Sequence, residues 1–214
     1  MVIDSIEIRD ELLDTPLVQY LVEMFSRSSS GSQLLTVTTW LSSNLFMHKP
    51  NFEKVKEIIP KAWNLLHVKV PEVVKYALKI FLSATLDSQE AIEYTFKNLN
   101  TIKVASFLSD KSIEMREIAI KILNNICTGT TEMVNEVIET NCLPIIKEMM
   151  RDNSNLAQSA CSLVANIAAG DIDHIEELIV LKMFEEASKV VFDSKNALVF
   201  VTLKKNRLRK RRSG

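Results

Sequence analysis

Apolar residues recur at helical spacing along most of the chain. In the segment EMREIAIKILNNI they occupy positions 115, 118, 119, 122, 123 and 126, which is the i, i+3, i+4, i+7 pattern of an amphipathic helix. Gly129 follows at a position suited to a left-handed C-cap, and MVNEVIET then predicts a shorter helix. Pro144 begins the next helix, where its missing N–H costs nothing. Since the chain has only four glycines and five prolines for turns, the pattern predicts an all-α protein.

The helical pattern repeats at a regular interval along the chain. The motif Asn-Ile-x-x-Gly starts at Asn125 and again at Asn166, 41 positions later. Short, medium and long helices within such a period match the armadillo repeat. Because one unit cannot bury its apolar face alone, the units are expected to stack into a right-handed α-solenoid. Apolar pairs recur at spacings of 41 or 42 positions: Met24-Phe25, Leu65-Leu66, Phe107-Leu108, Met149-Met150 and Val190-Val191.

This period predicts an all-α, armadillo-repeat right-handed α-solenoid of about four full repeats and a partial fifth. We expect the solenoid to span residues 1–206 and a basic C-terminal tail to occupy residues 207–214. Equivalent positions of successive units should then fall on one face of the stack. The expected units are roughly 1–48, 49–87, 88–129, 130–170 and 171–206.

Amide side chains near the ends of the long helices form a candidate binding row. An Asn side chain offers the acceptor and donors that match the C=O and N–H of a peptide unit. Helices pack about 8–10 Å apart and an extended chain advances about 3.3 Å per residue, so such a row could hold an extended peptide by its backbone. The alternative is that each asparagine is only a local cap. The row consists of Asn44, Asn125, Asn166 and Asn206, with Ser83 at the second position.

Aromatic and charged residues beside this row favour a basic guest. Trp40 lies one turn before Asn44, where an indole could pack against lysine methylenes and attract the ammonium, or could instead be part of the core. Residues 204–214 hold seven of the 26 basic residues and no acid, which leaves 19 basic and 27 acidic residues in the rest of the chain. Asp87, Asp171 and Asp173 follow predicted long helices and would attract a Lys/Arg-rich peptide.

The basic tail has two interpretations. It is either a solvated end or an occupant of the acidic groove in its own or a neighbouring molecule. The acidic body disfavours extended contact with nucleic acid phosphates.

Several other functional classes lack the sequence features they require. No apolar stretch approaches the roughly 20 residues of a membrane span, and the acidic start has no signal-peptide pattern, so we expect a soluble, intracellular protein. The three cysteines, Cys127, Cys142 and Cys161, form no C-x-x-C pair and are expected to be reduced and mostly buried. The sequence shows no metal-ligand spacing, phosphate loop or nucleophile motif. We therefore expect no enzyme activity, no cofactor and no metal site.

Four segments resemble successive repeats of one known family. TTWLSSNLFMHKPNFEKVKEIIP resembles the importin-alpha (karyopherin-alpha) repeat that carries W-x-x-S-N-L, a basic residue, P-x-F and a proline-started helix. DSQEAIE, ILNNICTG and SLVANIAAGD resemble the next three repeats in the same order. The resemblance implies a nuclear import adaptor of the cytoplasm and nucleus that binds Lys/Arg-rich nuclear localisation signals along an inner Trp/Asn groove. It also implies delivery of the bound proteins to a beta-type importin.

Carried over residue by residue, the resemblance pairs one side chain with one amide position in each repeat. Lys79 and Ser162 stand where tryptophans are expected, and Tyr76 and Ser159 stand where acidic residues are expected three positions earlier. The resemblance therefore predicts that backbone binding persists while lysine selectivity falls. The pairs are Trp40 with Asn44, Lys79 with Ser83, Lys121 with Asn125, Ser162 with Asn166, and Thr202 with Asn206.

Two larger departures from the family pattern change the expected function. The first recognisable repeat is like an internal repeat of the family, and the sequence shows no basic N-terminal segment of the kind that binds a beta-type importin. We therefore expect a shortened, divergent relative or a fragment. The alternative function is an armadillo-type scaffold that binds another protein without signal recognition.

Overall fold

The computed structural model describes residues 5–86, 88–151 and 155–193, and within these ranges all regular structure is helical. The chain divides into two compact units, which separate between Asn100 and Thr101. The first unit contains α1 (Ile6–Leu13), α2 (Leu17–Arg27), α3 (Gln33–Leu45), α4 (Phe52–Val55), α5 (Ile58–Leu65), α6 (Pro71–Ala84) and α7 (Gln89–Lys97). The second contains α8 (Thr101–Ser106), a 3-10 turn (Phe107–Ser109), α9 (Ile113–Ile126), α10 (Thr131–Glu139), α11 (Leu143–Met150), α12 (Asn155–Ile167), α13 (Ile172–Val180) and α14 (Met183–Asp193).

The predicted period is visible in the second unit. The starts of α10 and α13 are separated by the same interval as the two Asn-Ile-x-x-Gly motifs, and so are the ends of α9 and α12. The helices predicted from EMREIAIKILNNI and MVNEVIET are α9 and α10, and Pro144 lies in the first turn of α11. These predictions are confirmed. The unit boundaries assigned from the sequence remain a prediction.

Hydroxyl side chains begin many of the helices. A Ser or Thr at the N-cap accepts a hydrogen bond from a backbone N–H in the first turn, which satisfies a donor that has no partner within the helix. Because this signal is local, it marks the start of a helix in the sequence itself. Such caps occur at Ser5, Ser32, Ser88, Ser112 and Thr130.

In the first unit, α6 packs against both α3 and α5. The face of α6 that meets them consists of apolar residues that are fully buried, among them Ala77, Leu78 and Phe81. Arg9 is also buried in this unit, where its guanidinium donates to the carbonyl of Met47 and pairs with Asp10 at 2.7 Å. The packing of α3 leaves one side of that helix exposed.

In the second unit, α12 packs against α9, α11 and α14. The core between them contains Leu123, Ile126 and Leu163. All three cysteines are free thiols and buried, as expected, and burial raises the pKa of the Cys161 thiol to about 11. No helix in the described part of the chain is both long enough and apolar enough to cross a bilayer.

The expected left-handed glycine cap is wrong for Gly129. Neither Gly129 nor Gly170 has a positive φ, because each continues the right-handed turn of its helix by donating to the carbonyl three residues earlier, at 2.9 Å. In the second unit, left-handed residues instead follow the shorter helices, at Asn141 (φ 57°) after α10 and Lys182 (φ 52°) after α13. These two residues occupy equivalent positions of successive repeats, so the left-handed turn is itself part of the repeat.

Candidate functional site

The exposed side of α3 presents the first candidate pair. Trp40 is 42% exposed, so its indole is a surface group and not part of the core. Asn44 lies one turn later and is half-buried. Trp63, by contrast, is half-buried on α5 and contacts the ring of His67 edge-on, at 4.7 Å between ring centroids. Trp40 and Asn44 can therefore both reach a chain that crosses α3, whereas Trp63 packs within the fold.

The equivalent positions on α6 are Lys79 and Ser83, and both are half-buried. Tyr76 lies one turn before Lys79, and the ammonium groups of Lys75 and Lys79 lie 5.4 and 6.0 Å from the centroid of its ring. Two lysines of the chain itself thus contact the tyrosine face, in an arrangement typical of cation–π interactions. The aromatic surface on α6 is consequently less open to a guest than the indole on α3.

In the second unit, the candidate pairs lie near the C-terminal ends of α9 and α12. Lys121 is exposed and Asn125 is half-buried on α9, while Ser162 is half-buried on α12. Asn166 is only 3% exposed. Contact between any of these residues and a peptide stays a prediction.

The amide of Asn166 has a role inside the protein. Its NH2 group donates to the backbone carbonyl of Asn124 at 3.1 Å and to the side-chain oxygen of Asn124 at 2.9 Å. Since Asn124 belongs to α9 and Asn166 to α12, these bonds join corresponding helices of neighbouring repeats. A buried amide that keeps its partners is stabilising, so Asn166 has a structural reason to recur in addition to its predicted binding role.

The acidic flank is described only in part. Asp171 and Asp173 are exposed at the start of α13, where carboxylates also interact favourably with the helix dipole. Asp87, Asn206 and the basic tail 207–214 lie outside the described residues. Among the described residues, no group of His, Cys, Asp and Glu is arranged to hold a metal ion.

The structure shows a histidine contact that the sequence did not predict. His174 is buried in the first turn of α13, and its Nδ1 accepts from the backbone N–H of Asp171 at 3.1 Å. Its Nε2 lies 2.5 Å from the side-chain oxygen of Asn135 on α10. Because Nδ1 accepts, Nε2 carries the proton and donates to Asn135. His174 therefore links the start of α13 to α10.

Two curated relatives have similar sequences. The chain is 25% identical to importin subunit alpha-1a of Oryza sativa subsp. japonica over 183 residues, which cover 82% of the chain and 34% of that protein. It is 26% identical to importin subunit alpha-8 of Arabidopsis thaliana over 166 residues, which cover 76% of the chain and 37% of that protein. The chain thus spans about a third of the length of these relatives. No protein-family model matches it.

Solved structures of armadillo-repeat proteins have the same fold. A designed armadillo repeat protein in complex with the peptide (KR)4 superposes with a TM-score of 0.82 at 19% identity, covering 97% of this chain and 87% of the other. A computationally designed armadillo repeat protein for modular peptide recognition gives 0.78 at 22% identity, covering 87% and 79%. The predicted armadillo-repeat solenoid is therefore confirmed.

The chain is therefore similar in sequence to importin alpha subunits and has the fold of armadillo-repeat proteins. The helices described above fit about four to five armadillo repeats. The names of the relatives and structural neighbours describe import subunits and peptide-binding repeat proteins, in agreement with the expectation of a non-enzymatic binding protein.

Proposed function

We propose that this chain is a nuclear import adaptor that binds Lys/Arg-rich nuclear localisation signals in extended conformation. The observation that carries the proposal is the placement of Trp40 on the exposed side of α3, one turn from Asn44. A partly exposed indole beside an amide can supply two kinds of contact at once. The amide matches the backbone of an extended guest, and the ring packs against one of its side chains.

Charge supports a guest that is basic along much of its length. Outside residues 204–214 the chain carries 19 basic and 27 acidic residues, so its potential favours the approach of a cationic segment. Asp171 and Asp173 place exposed carboxylates at the start of α13. The similarity to importin alpha subunits and to an armadillo protein that binds (KR)4 agrees with this choice.

Two consequences of an import role are part of the same proposal. An adaptor of this kind acts in both the cytoplasm and the nucleus, and it passes its bound protein to a beta-type importin. The relatives are import subunits by name, and this similarity is what supports both statements.

A second candidate is a scaffold that binds another protein without reading a localisation signal. Two observations favour it. The amide of Asn166 is bonded to Asn124, and the ring of Tyr76 is in contact with Lys75 and Lys79. Both arrangements reduce the surface available to a basic peptide.

Fluorescence anisotropy with a labelled Lys/Arg-rich peptide separates the two functions. An import adaptor binds the peptide, and its affinity falls as the salt concentration is raised from about 0.05 to about 0.5 M. Salt screens the attraction between the carboxylates of the chain and the basic side chains of the peptide. The double variant Trp40→Ala/Asn44→Ala should lose about tenfold or more in affinity, as expected when an aromatic anchor and a backbone contact are both removed.

The matched control is Tyr20→Ala/Asn64→Ala, which removes an exposed aromatic ring on α2 and an exposed amide on α5. It should bind as the wild-type chain does. Absence of binding by the folded wild-type chain, or an equal loss in both double variants, would establish the scaffold as the better description.

A further inference from the structure

The exposed side of α3 is unusually free of charge. Residues 28–47 contain no Asp, Glu, Lys, Arg or His, although a quarter of the whole chain is charged. Leu34 and Val37 are 47% and 48% exposed, close to the value for Trp40. At 3.6 residues per turn, Val37, Trp40 and Asn44 fall within about 60° of one another around the helix. The amide of Asn44 therefore lies beside an apolar surface made by Leu34, Val37 and Trp40.

The helix that packs on α3 adds positive charge. At the positions of α6 equivalent to Val37 and Trp40 stand Tyr76 and Lys79, and the ammonium groups of Lys75 and Lys79 lie against the tyrosine ring. Glu72 is exposed in the first turn of α6, at the opposite end of that helix from Ser83. A lysine of the guest lying on Trp40 would meet no carboxylate from α3, and the tyrosine ring on α6 is already in contact with two lysines of the chain itself.

We propose that the surface formed by Leu34, Val37 and Trp40 selects an apolar side chain of the guest peptide, such as leucine or methionine, and disfavours lysine. An ammonium group placed there loses part of its hydration without gaining an ionic partner on α3, whereas an apolar side chain removes three exposed apolar groups from water. The indole quadrupole alone offers a cation at an exposed site only a weak attraction. Asn44 holds the guest backbone next to this side chain.

This inference rests on the proposed function and specifies the sequence of the guest peptide more closely. The guest is an extended segment, basic along much of its length, with one apolar residue at the place where it crosses α3. Val37 is the specificity-determining residue, since it lies one turn before Trp40 on the same side of the helix.

The test compares two labelled peptides that share Lys/Arg-rich flanks and differ at one central position, leucine or lysine. Anisotropy titrations of the wild-type chain should show the leucine peptide binding about fivefold tighter or better, the ratio expected from burying most of one apolar side chain. Raising the salt concentration should weaken both peptides through their basic flanks and leave the ratio nearly unchanged, because a central lysine finds no carboxylate on α3 whose attraction salt could screen.

The variant Val37→Glu supplies the carboxylate that the surface lacks and should reverse the preference in favour of the lysine peptide. Its matched control is Gln19→Glu, which adds the same charge at an exposed position of α2 and should leave the preference for leucine unchanged. Trp40→Ala should weaken the leucine peptide more than the lysine peptide, because the indole is part of the surface that favours leucine.

The possible outcomes distinguish this inference from the function on which it rests. A wild-type chain that binds both peptides equally, or binds the lysine peptide more tightly, overturns the apolar preference and leaves the adaptor role standing. A folded wild-type chain that binds neither peptide overturns both.

Discussion

At the scale of single residues, Lys182 holds a backbone conformation that its side chain disfavours. It is the exposed residue between α13 and α14, with φ at 52°, and its N–H donates to the carbonyl of Ile179 at 2.9 Å. A residue with a Cβ loses roughly 1 kcal/mol in this left-handed region relative to glycine. Asn141, at the equivalent position after α10, tolerates the same conformation better.

We predict that Lys182→Gly raises the free energy of unfolding by about 0.5–1 kcal/mol. The gain comes from relief of the Cβ contact, partly offset by the greater freedom of glycine in the unfolded chain. Urea denaturation followed by circular dichroism measures it. Lys182→Ala is the control, because it removes the same charge and length but keeps Cβ. An equal gain from alanine would show that the lysine side chain, and not the backbone, is unfavourable.

How far the candidate site follows from the sequence depends on where each partner lies in the chain. The sequence places Trp40 one turn before Asn44, and this relation could be predicted because both residues belong to one helix. The bonds of Asn166 could not be predicted in the same way, because its partner Asn124 is 42 positions earlier and the contact exists only once α9 and α12 pack. Periodicity shows that the residue is repeated and does not show whether a guest or a neighbouring helix uses it.

At the scale of helices, the start of α13 depends on the absence of one side chain. A Cβ built on Gly170 would collide with Nδ1 of His174 and lie 3.1 Å from the carbonyl oxygen of Ile167. The imidazole would have to move, and it would lose its bonds to the Asp171 N–H and to Asn135. The glycine of the second Asn-Ile-x-x-Gly motif is therefore needed for close packing and not for a left-handed turn.

We predict that Gly170→Ala lowers the free energy of unfolding by about 1–3 kcal/mol, the range typical of buried hydrogen bonds left without a partner. Urea denaturation gives the value. The same change introduced into a His174→Ala background should have a much smaller effect, because the colliding ring is gone. A penalty of equal size in both backgrounds would mean that contact with the Ile167 carbonyl, and not with the imidazole, is what glycine avoids.

The helices were predictable from the sequence to the extent that their signals are local. The apolar spacing and Pro144 located α9, α10 and α11, because amphipathic periodicity and first-turn proline act within one helix. The expected cap at Gly129 was wrong, since the choice of which residue turns left-handed depends on the direction of the following helix. That direction is a property of the packed repeat.

At the scale of the whole molecule, the two compact units can be followed separately. Both tryptophans, Trp40 and Trp63, lie in the unit that ends at Asn100, so their fluorescence reports on that unit, whereas far-ultraviolet circular dichroism reports on helices of both. In a repeat protein each repeat contacts only its neighbours, so a local change in stability has its largest effect on nearby repeats. A perturbation confined to the second unit should therefore change the dichroism more than the fluorescence.

Protonation of Glu186 on α14 at low pH is such a perturbation of the second unit. Its carboxylate accepts from Arg151 at 2.9 Å and from Lys189 at 3.2 Å, and these groups lower the pKa of Glu186 from 4.5 to about 2. Because the folded chain binds the proton less readily than the unfolded chain, the pair stabilises the fold above pH 4.5. That contribution is lost as the pH falls from 4.5 towards 2.

We predict that lowering the pH from about 5 to about 3 reduces the stability of the second unit through this pair. In urea denaturation, the midpoint from circular dichroism should fall more than the midpoint from tryptophan fluorescence.

Glu186→Gln should start from a lower dichroism midpoint at pH 5 and show a smaller fall, because glutamine cannot change its charge. Glu177→Gln, at an exposed position of α13, serves as the control and should behave as the wild-type chain. Identical shifts of both signals would mean that the two units unfold as one cooperative body, and an unchanged fall in Glu186→Gln would assign the acid sensitivity to other carboxylates.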